Sequence, residues 1–333
     1  MTAAERREGG PRPCPLCGEV EAAPEIEARA AETGAIYRVM RCRSCELLYT
    51  RPVPTAEELE SLYGSGYYVQ NESKRLSDLP RRLFERSVLR WRRRVLGRAR
   101  PGRILDFGCG NGRFLEELLA RGWDVCGVEL SATAADLAER RGVPVLRGPL
   151  EDASLPEGSF DVVTLWHSLE HLAEPVATLR RLRRLLRADG TLVVEVPNSA
   201  SPAFRLLGAD WEALDLPRHL QHFTPETAER LLDAAGFRPV RRRDVHHWDF
   251  TFTFYSLMNR LGFRRQAAIR YYSTDFERAP LGARLGFLAA GLPVAVAAAF
   301  LWLAGWLLTG NSETVTMIAR PDSDRPRQEA GGS

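Results

Sequence analysis

The sequence predicts an α/β fold built on a doubly wound, mostly parallel sheet. Two observations predict it. Between Arg103 and about Val245, short apolar runs alternate with segments of helical period, the signature of successive βαβ units. At the head of that region "DFGCGNGRF", residues 106–114, places three glycines between a strand-like run and a helix-like one, and ligands of doubly wound sheets bind at such carboxyl ends of strands.

The elements follow in order. "RILDF" (103–107) reads as the first strand, and "NGRFLEELLARG" (111–122) as a helix with Phe114, Leu115, Leu118 and Leu119 on one face, stopped by Gly122. "DVCGVEL" (124–130) is the second strand, "ATAADLAERRG" the second helix and "PVLRG" (144–148) the third strand. "FDVVTLW" opens the fourth strand. "PVATLRRLRRLLRADG" follows as a helix with Val176, Leu179, Leu182, Leu185 and Leu186 inward and five arginines outward, and "TLVVEVP" is the fifth strand. Thr224, Pro225 and Gly236 delimit the next helix as cap, first-turn proline and stop.

Composition sets the bounds. A chain of 333 residues suffices for one large domain or two smaller ones. Lys and Arg total 46 against 43 Asp and Glu, a net charge of +3 that implies no polyanionic partner. The segment Met1–Glu8 has no apolar run, so the bulk of the chain is expected in the cytosol. Six cysteines in such a chain argue for metal or buried thiols over disulfides.

Charge decides what the glycine loop receives. A dinucleotide fingerprint reads G-x-G-x-x-G, whereas Gly108, Gly110 and Gly112 read G-x-G-x-G behind Asp106. A carboxylate there repels a pyrophosphate and attracts an ammonium group, while the helix start near Asn111 still welcomes a small anion. Glu129 lies 21 residues after Gly108, the spacing at which an acid receives ribose hydroxyls. A ligand with an amine, a carboxylate and a ribose but no phosphate is S-adenosylmethionine. The competing reading is an ordinary tight turn.

On these residues the chain resembles the class I S-adenosylmethionine-dependent methyltransferases: "ILDFGCGNGRFL" is similar to their motif I, "GVELS" to their acidic second motif, and residues 148–198 to the stretch through strands four and five. The resemblance implies a Rossmann-like sheet of seven strands. It implies that Asp106 and Gly108, in the loop with Gly110 and Gly112, hold the methionine moiety, that Glu129 holds the ribose, and that Leu150, Glu151 and Asp152 flank the adenine. Many members have Asp where this chain has Pro149, which shifts the adenine contact to backbone amides, Glu151 or Asp152.

Cys14, Cys17, Cys42 and Cys45 form CPLC and CRSC separated by 24 residues, the spacing of a zinc ribbon whose closed four-thiolate site is structural. Cys109 and Cys126 are expected as small buried residues. The ribbon followed by "LLYTRPVPTAEELESLYGSGYY" resembles a bacterial subgroup of these methyltransferases associated with surface-sugar or lipid modification, with Tyr67 and Tyr68 over the cofactor pocket or in packing.

Methyl transfer needs alignment, exclusion of water and, for a hydroxyl or carbon acid, a base. Candidates are His167, Glu170 and His171 after strand four, and Arg218, His219 and His222 after strand five, with Asp210 and Trp211 beside the acceptor. The opposing reading makes Glu170 and His171 helix caps and His219 and His222 loop ties. Residues 81–103 hold ten arginines, with Phe84, Val88, Trp91 and Val95 at helical spacing; they read as a docked amphipathic helix, a contact for anionic lipid, or the RNA-binding front of a nucleobase methyltransferase. A noncatalytic zinc-dependent scaffold is the alternative outside the enzymes.

Leu285–Leu308 is uncharged, with Pro293 in its first third. Its length suits a spanning helix. In the resembled fold, however, the strand at "AGFRPVRRRDVH" and the final strand "ETVTMIAR" (313–320) pair in one sheet, so the chain must return to the side it left. A bend at Pro293 would make a hydrophobic hairpin, interfacial with Trp302 and Trp306 near headgroups and Arg278 and Arg284 at the surface, or packed on protein. The expected organisation is a zinc ribbon at 1–55, a helical linker or lid at 56–100, the methyltransferase domain at 101–322 with insertion 280–310, and a tail at 323–333. The expected enzyme is monotopic or peripheral at the cytoplasmic face of a membrane and acts on a small-molecule, sugar or lipid-linked acceptor.

Overall fold

A computed structural model describes residues 12–30, 34–55, 58, 79–97, 100–152, 154–244, 249–263 and 281–324. Tyr67, Tyr68 and Arg278 lie outside them.

The main body is a seven-stranded sheet of β4 (Arg103–Phe107), β5 (Asp124–Glu129), β6 (Val145–Arg147), β7 (Phe160–Trp166), β8 (Leu186–Pro197), β10 (Phe237–Asp244) and β11 (Thr314–Pro321). Their order across the sheet is β10-β11-β8-β7-β4-β5-β6. Neighbours from β8 through β6 pair in parallel, whereas β11 runs antiparallel to both β10 and β8. The strand order reverses beside β4, so the crevice opens where β4, β5 and β7 end. The central strands bury nearly every residue, because helices cover both faces.

Short turns set the helices. α2 (Arg113–Leu119) buries Phe114, Leu115 and Leu118, and α3 (Ala132–Arg140) starts at Ser131, whose side chain accepts from the Ala134 amide. α4 (Pro175–Leu185) is shorter than the sequence pattern suggests. Leu186 to Gly190 belong to β8, since the Leu186 position pairs with Phe160. One of the five arginines expected outside, Arg183, is buried and donates to the Asp322 carbonyl at 2.7 Å. α6 (Pro225–Ala234) has the expected Thr224 cap, a capping box with Thr227, and Gly236 at φ 82° beyond its end.

The arginine-dense segment is α1 (Leu79–Leu96). Val95 is buried at its end while Phe84 is exposed, so docking uses the second half of the expected stripe. Arg92 folds inward, its guanidinium 4.9 Å from the Trp166 ring centre.

A second sheet, of order β1-β2-β3-β9, joins the cysteine region to the body. β1 (Ala22–Arg29), β2 (Ile36–Cys42) and β3 (Leu48–Arg51) come from that region; β9 (Gln221–His222) comes from the loop after β8 and pairs with β3. Cys14, Cys42 and Cys45 share one hydrophobic core with Phe223, Leu231 and Leu165.

The insertion departs from the hairpin expectation. Leu281–Thr309 is one helix, α8, with Pro293 inside it and no reversal. Its antiparallel-type partner comes from before the insertion: α7 (Asp249–Arg260) packs along it, with Met258 and Val294 in one cluster. α8 also touches α5 (Pro202–Leu207) so closely that a Cβ on Gly305 would lie 2.6 Å from Pro202. The expected pairing of β10 with β11 holds, from Phe237–Pro321 to Asp244–Val315.

Candidate functional site

The glycine loop bends as its composition requires. Gly108 and Gly112 have φ of 72° and 75°, and a Cβ would lie 2.4 Å from Ser168 Oγ at the first and 2.6 Å from Ala138 Cβ at the second. Gly110 shares the left-handed region at φ 55°. Asp106 stands buried at the end of β4 and accepts from Thr164 Oγ1 at 2.6 Å through Oδ1. Burial pushes its pKa up to about 7, against the Thr164 hydrogen bond and the nearby Arg92. Oδ2 is left for a donor, and an ammonium group would restore the ionised form.

Glu129 ends β5, buried, with Oε2 accepting from the Gly110 amide at 2.8 Å and Oε1 from the Ser131 amide at 2.9 Å. Burial raises its pKa. The two amides fix the carboxylate at the crevice and leave each oxygen a lone pair for a diol. Leu150 is buried in a single helical turn with exposed Glu151 and Asp152 beside it, next to the end of β6. These residues fit the amine, ribose and base of S-adenosylmethionine in the order the sequence suggests.

Across the crevice, β7 ends in His167 at φ 54°, a conformation rarely tolerated outside glycine. Its amide donates to the Glu195 carbonyl at 2.9 Å, and its ring lies between two carboxylates: Nδ1 is 3.3 Å from Glu170 Oε1 and Nε2 is 3.4 Å from Glu195 Oε1. Burial opposes the charged ring, but Glu170 and then Glu195 outweigh it, and the pKa rises to about 9. His167 is therefore an imidazolium at neutral pH, not the resting proton acceptor the sequence allowed.

Glu195 carries no sequence motif. It sits on β8, where Trp91 Nε1 and Thr316 Oγ1 each donate to Oε2 at 2.9 Å. The partners lie 104 and 121 residues away in the chain, beyond the reach of any local pattern.

His219 behaves oppositely to His167. It is buried, its Nδ1–H donates to the Ala213 carbonyl at 2.7 Å, and its Nε2 is 3.9 Å from Glu170 and 3.8 Å from Asp215. Burial, aided by the neighbouring His171 ring, lowers its pKa to about 4. Its Nε2 is thus unprotonated at neutral pH. His222 is engaged elsewhere: Nε2 meets Thr50 Oγ1 at 3.1 Å, on the strand that pairs β9 to β3. His171 donates from Nδ1 to the Arg218 carbonyl at 2.9 Å, and Arg218 is paired with Asp215 at 2.6 Å.

Glu170 is buried without a hydrogen-bond donor on either oxygen, and burial is overcome by His167, His171 and His219, which hold its pKa at about 2. Glu170, His171 and His219 bring ligand-type atoms within 4.8 Å of one another, a set able to hold a divalent cation.

The loop between β8 and β9 closes the acceptor side. Buried Trp211 donates from Nε1 to Glu313 at 2.8 Å, so it anchors the loop to β11, and the Asp210 carboxylate pairs with Arg260 at 3.1 Å. α7 brings Phe252 to 6.5 Å from the His167 ring.

The four cysteines converge, with Cys14 Sγ 3.5 Å from Cys45 Sγ and Cys17 Sγ 3.5 Å from Cys42 Sγ. The two turns match. The Gly18 and Glu46 amides return to the carbonyls of Cys14 and Cys42, and both residues have positive φ, 78° and 63°. A tetrahedral zinc with bonds of about 2.3 Å sets sulfurs about 3.8 Å apart, and the cluster fits that cage. Cys109 is buried, as expected, whereas Cys126 is only half-buried.

Known proteins corroborate the fold. A ubiquinone biosynthesis O-methyltransferase of Xanthomonas oryzae is 34% identical over 130 residues, 36% of this chain and 54% of that protein. One of Cereibacter sphaeroides is 31% identical over 155 residues, 43% and 63%. The chain spans about half to two thirds of the length of these relatives. The crystal structure of the [4+2]-cyclase SpnF superposes with a TM-score of 0.50 at 20% identity, over 81% of this chain and 97% of that one, which speaks for the fold alone. A family model described as a methyltransferase domain matches residues 75–242, half of the chain. The match takes in the glycine loop, Glu129 and His219, and the chain belongs to this methyltransferase-domain family.

Proposed function

We propose that the chain transfers the methyl group of S-adenosylmethionine to a hydroxyl oxygen of a small, amphipathic acceptor. One observation carries the reading: the crevice sets a phosphate-repelling pair, Asp106 and Glu129, against a buried imidazole, His219, that is neutral at physiological pH. The relatives named for O-methylation support oxygen as the attacking atom. Bound S-adenosylmethionine supplies an electrophilic methyl carbon on a sulfonium. Asp106 and Glu129 hold its two ends, the acceptor hydroxyl gives its proton to His219 Nε2, and the His167 imidazolium, whose two N–H groups face Glu170 and Glu195, places a fixed positive charge on the acceptor side. Glu170 sets the field and takes no proton.

A second reading rests on the convergence of three ligand-type groups: a divalent cation on Glu170, His171 and His219 would bind and acidify the hydroxyl. Chelation separates the two, because loss of turnover in EDTA with recovery on adding magnesium supports the cation, and indifference supports the imidazole base.

In this reading zinc on Cys14, Cys17, Cys42 and Cys45 is structural. The pairing of β3 with β9 ties that site to the loop carrying His219, so its loss reaches the acceptor side. α8 carries the membrane contact. Ala289–Thr309 is long and apolar enough to cross a bilayer, 17% of it is buried, and Leu292, Val296 and Phe300 project from one ridge. α7 and α5 pack on it and β11 returns into the sheet, so the reading puts α8 flat in the cytoplasmic interface.

The test is incubation of purified protein with radiolabelled S-adenosylmethionine and a series of alkylated phenols. Label in the organic phase is expected. Protein that neither binds the cofactor nor labels any phenol would refute the proposal.

A further inference from the structure

Between α7 and α8 runs an apolar groove of about 460 Å³ lined by Leu257, Leu261, Ala290, Pro293, Val294 and Ala297, with Arg260 at its edge. Its size is that of small-ligand sites. The family match ends at residue 242, so the groove belongs to a part of the chain that the family does not supply.

α7 links the groove to the acceptor side. α7 begins beside the site, with Phe252 at 6.5 Å from the His167 ring, and reaches the groove about 8 Å further on at Leu257. Phe252 and Leu257 pack on the cluster that includes Leu214 and Trp211, and Leu257 also packs on the Met258–Val294 cluster beneath the groove. One helix thus carries apolar contacts of both the site and the groove. The polar groups of α7 are engaged: Ser256 Oγ donates its proton to the Phe252 carbonyl and accepts from the Glu212 amide, and Arg260, at the groove's edge, is paired with Asp210. Small side chains of Ala290 and Ala297 leave the space, and the exposed ridge of Leu292, Val296 and Phe300 continues along the same helix.

We propose that this groove is the subsite for the aliphatic tail of the acceptor, an acyl or polyprenyl chain whose head reaches His167 and His219. The groove offers such a chain burial without asking it for a hydrogen bond, and its direction along α7 sets how far the head extends. The inference rests on the reading of the crevice as the methyl-transfer site, and the experiment below reads the two separately.

The probe is cis-parinaric acid, titrated by fluorescence into the full chain, with S-adenosylmethionine binding followed in parallel by calorimetry. Ala297→Trp, which fills the groove, should weaken probe binding at least about tenfold while cofactor affinity stays unchanged. Leu261→Asp, at an exposed position that tolerates charge in the folded chain, should do the same. Flotation with phosphatidylglycerol vesicles should be unaffected in both variants. Probe binding equal to wild type in both variants overturns the subsite. So does joint loss of probe and vesicle binding, which would make the groove a membrane contact, or a wild-type protein that never binds the probe. Cofactor binding lost with probe binding kept would instead overturn the reading of the crevice and leave the groove standing.

Discussion

The two walls of the crevice are made by different means. The cofactor wall is local: Asp106, the glycine loop and Glu129 lie within 24 consecutive residues, and the bonds that shape them, such as Gly110 to Glu129, close short loops. The acceptor wall is assembled from afar. Glu195 is oriented from α1 and β11, the loop carrying His219 is tied to Thr50 on the cysteine module, and Phe252 arrives on α7. A short loop recurs as a motif because few sequences make its turn; a wall gathered from separate elements can change with each of them. The cofactor wall is accordingly legible as a motif, while the acceptor wall, though most of it also lies within the family match, is not.

The sharpest way to break that division is at His219. His219→Ala should lower turnover about 10²- to 10⁴-fold, the worth of a positioned general base, with cofactor affinity by calorimetry unchanged. A parallel loss of cofactor binding would show that the two walls are not separable.

Next in size is the cofactor wall itself. Asp106→Asn or Glu129→Ala should weaken S-adenosylmethionine binding about tenfold to a hundredfold, since hydrogen bonds to a charged group are worth roughly 1.5–3 kcal/mol. Acceptor affinity in the same variants, measured by equilibrium dialysis, should hold.

A smaller effect follows from pH. Burial raises the Asp106 pKa to about 7, so below that pH the free protein carries a neutral carboxyl, whereas an ammonium ligand requires the ionised one. Binding should therefore be full above the pKa and weaken by about tenfold per pH unit below it. Calorimetry near pH 6.5 in buffers of different ionisation enthalpy should detect proton release, and Asp106→Asn should abolish it. A pH-independent affinity would place the ammonium elsewhere.

The least effect is expected at the seam between the walls. Trp91→Phe removes one of two donors on Glu195 Oε2 and leaves Thr316. Urea unfolding should show a loss of about 1 kcal/mol, with the pKa of His167, followed by NMR, nearly unmoved. A large fall in that pKa would show that α1, and not β11, sets the acceptor wall.

Much of this molecule was legible in one dimension. Strand order to the fifth strand, the glycine loop, the caps of α6 and the convergence of four cysteines follow from period, φ requirements and ligand spacing. The misreadings share one cause. The end of α4 yielded to pairing of Leu186 with Phe160, and the hairpin at Pro293 became one helix because α7 and α5 supply the packing that a bend would have sought. Arg183, expected outside, turns inward where a carbonyl receives it, and Arg92 likewise where a ring face does.

The sequence by itself determined the shape and charge of the cofactor wall, because the glycine turn and the carboxylate of Asp106 act within a few residues. Only the tertiary structure decided the protonation of the two histidines. His167 and His219 are the same side chain near the same Glu170, yet two flanking carboxylates charge the first, while burial and a carbonyl that accepts from Nδ1 keep the second neutral. A pKa depends on desolvation and on the charges within a few ångströms, and those neighbours are chosen by folding, not by position along the chain.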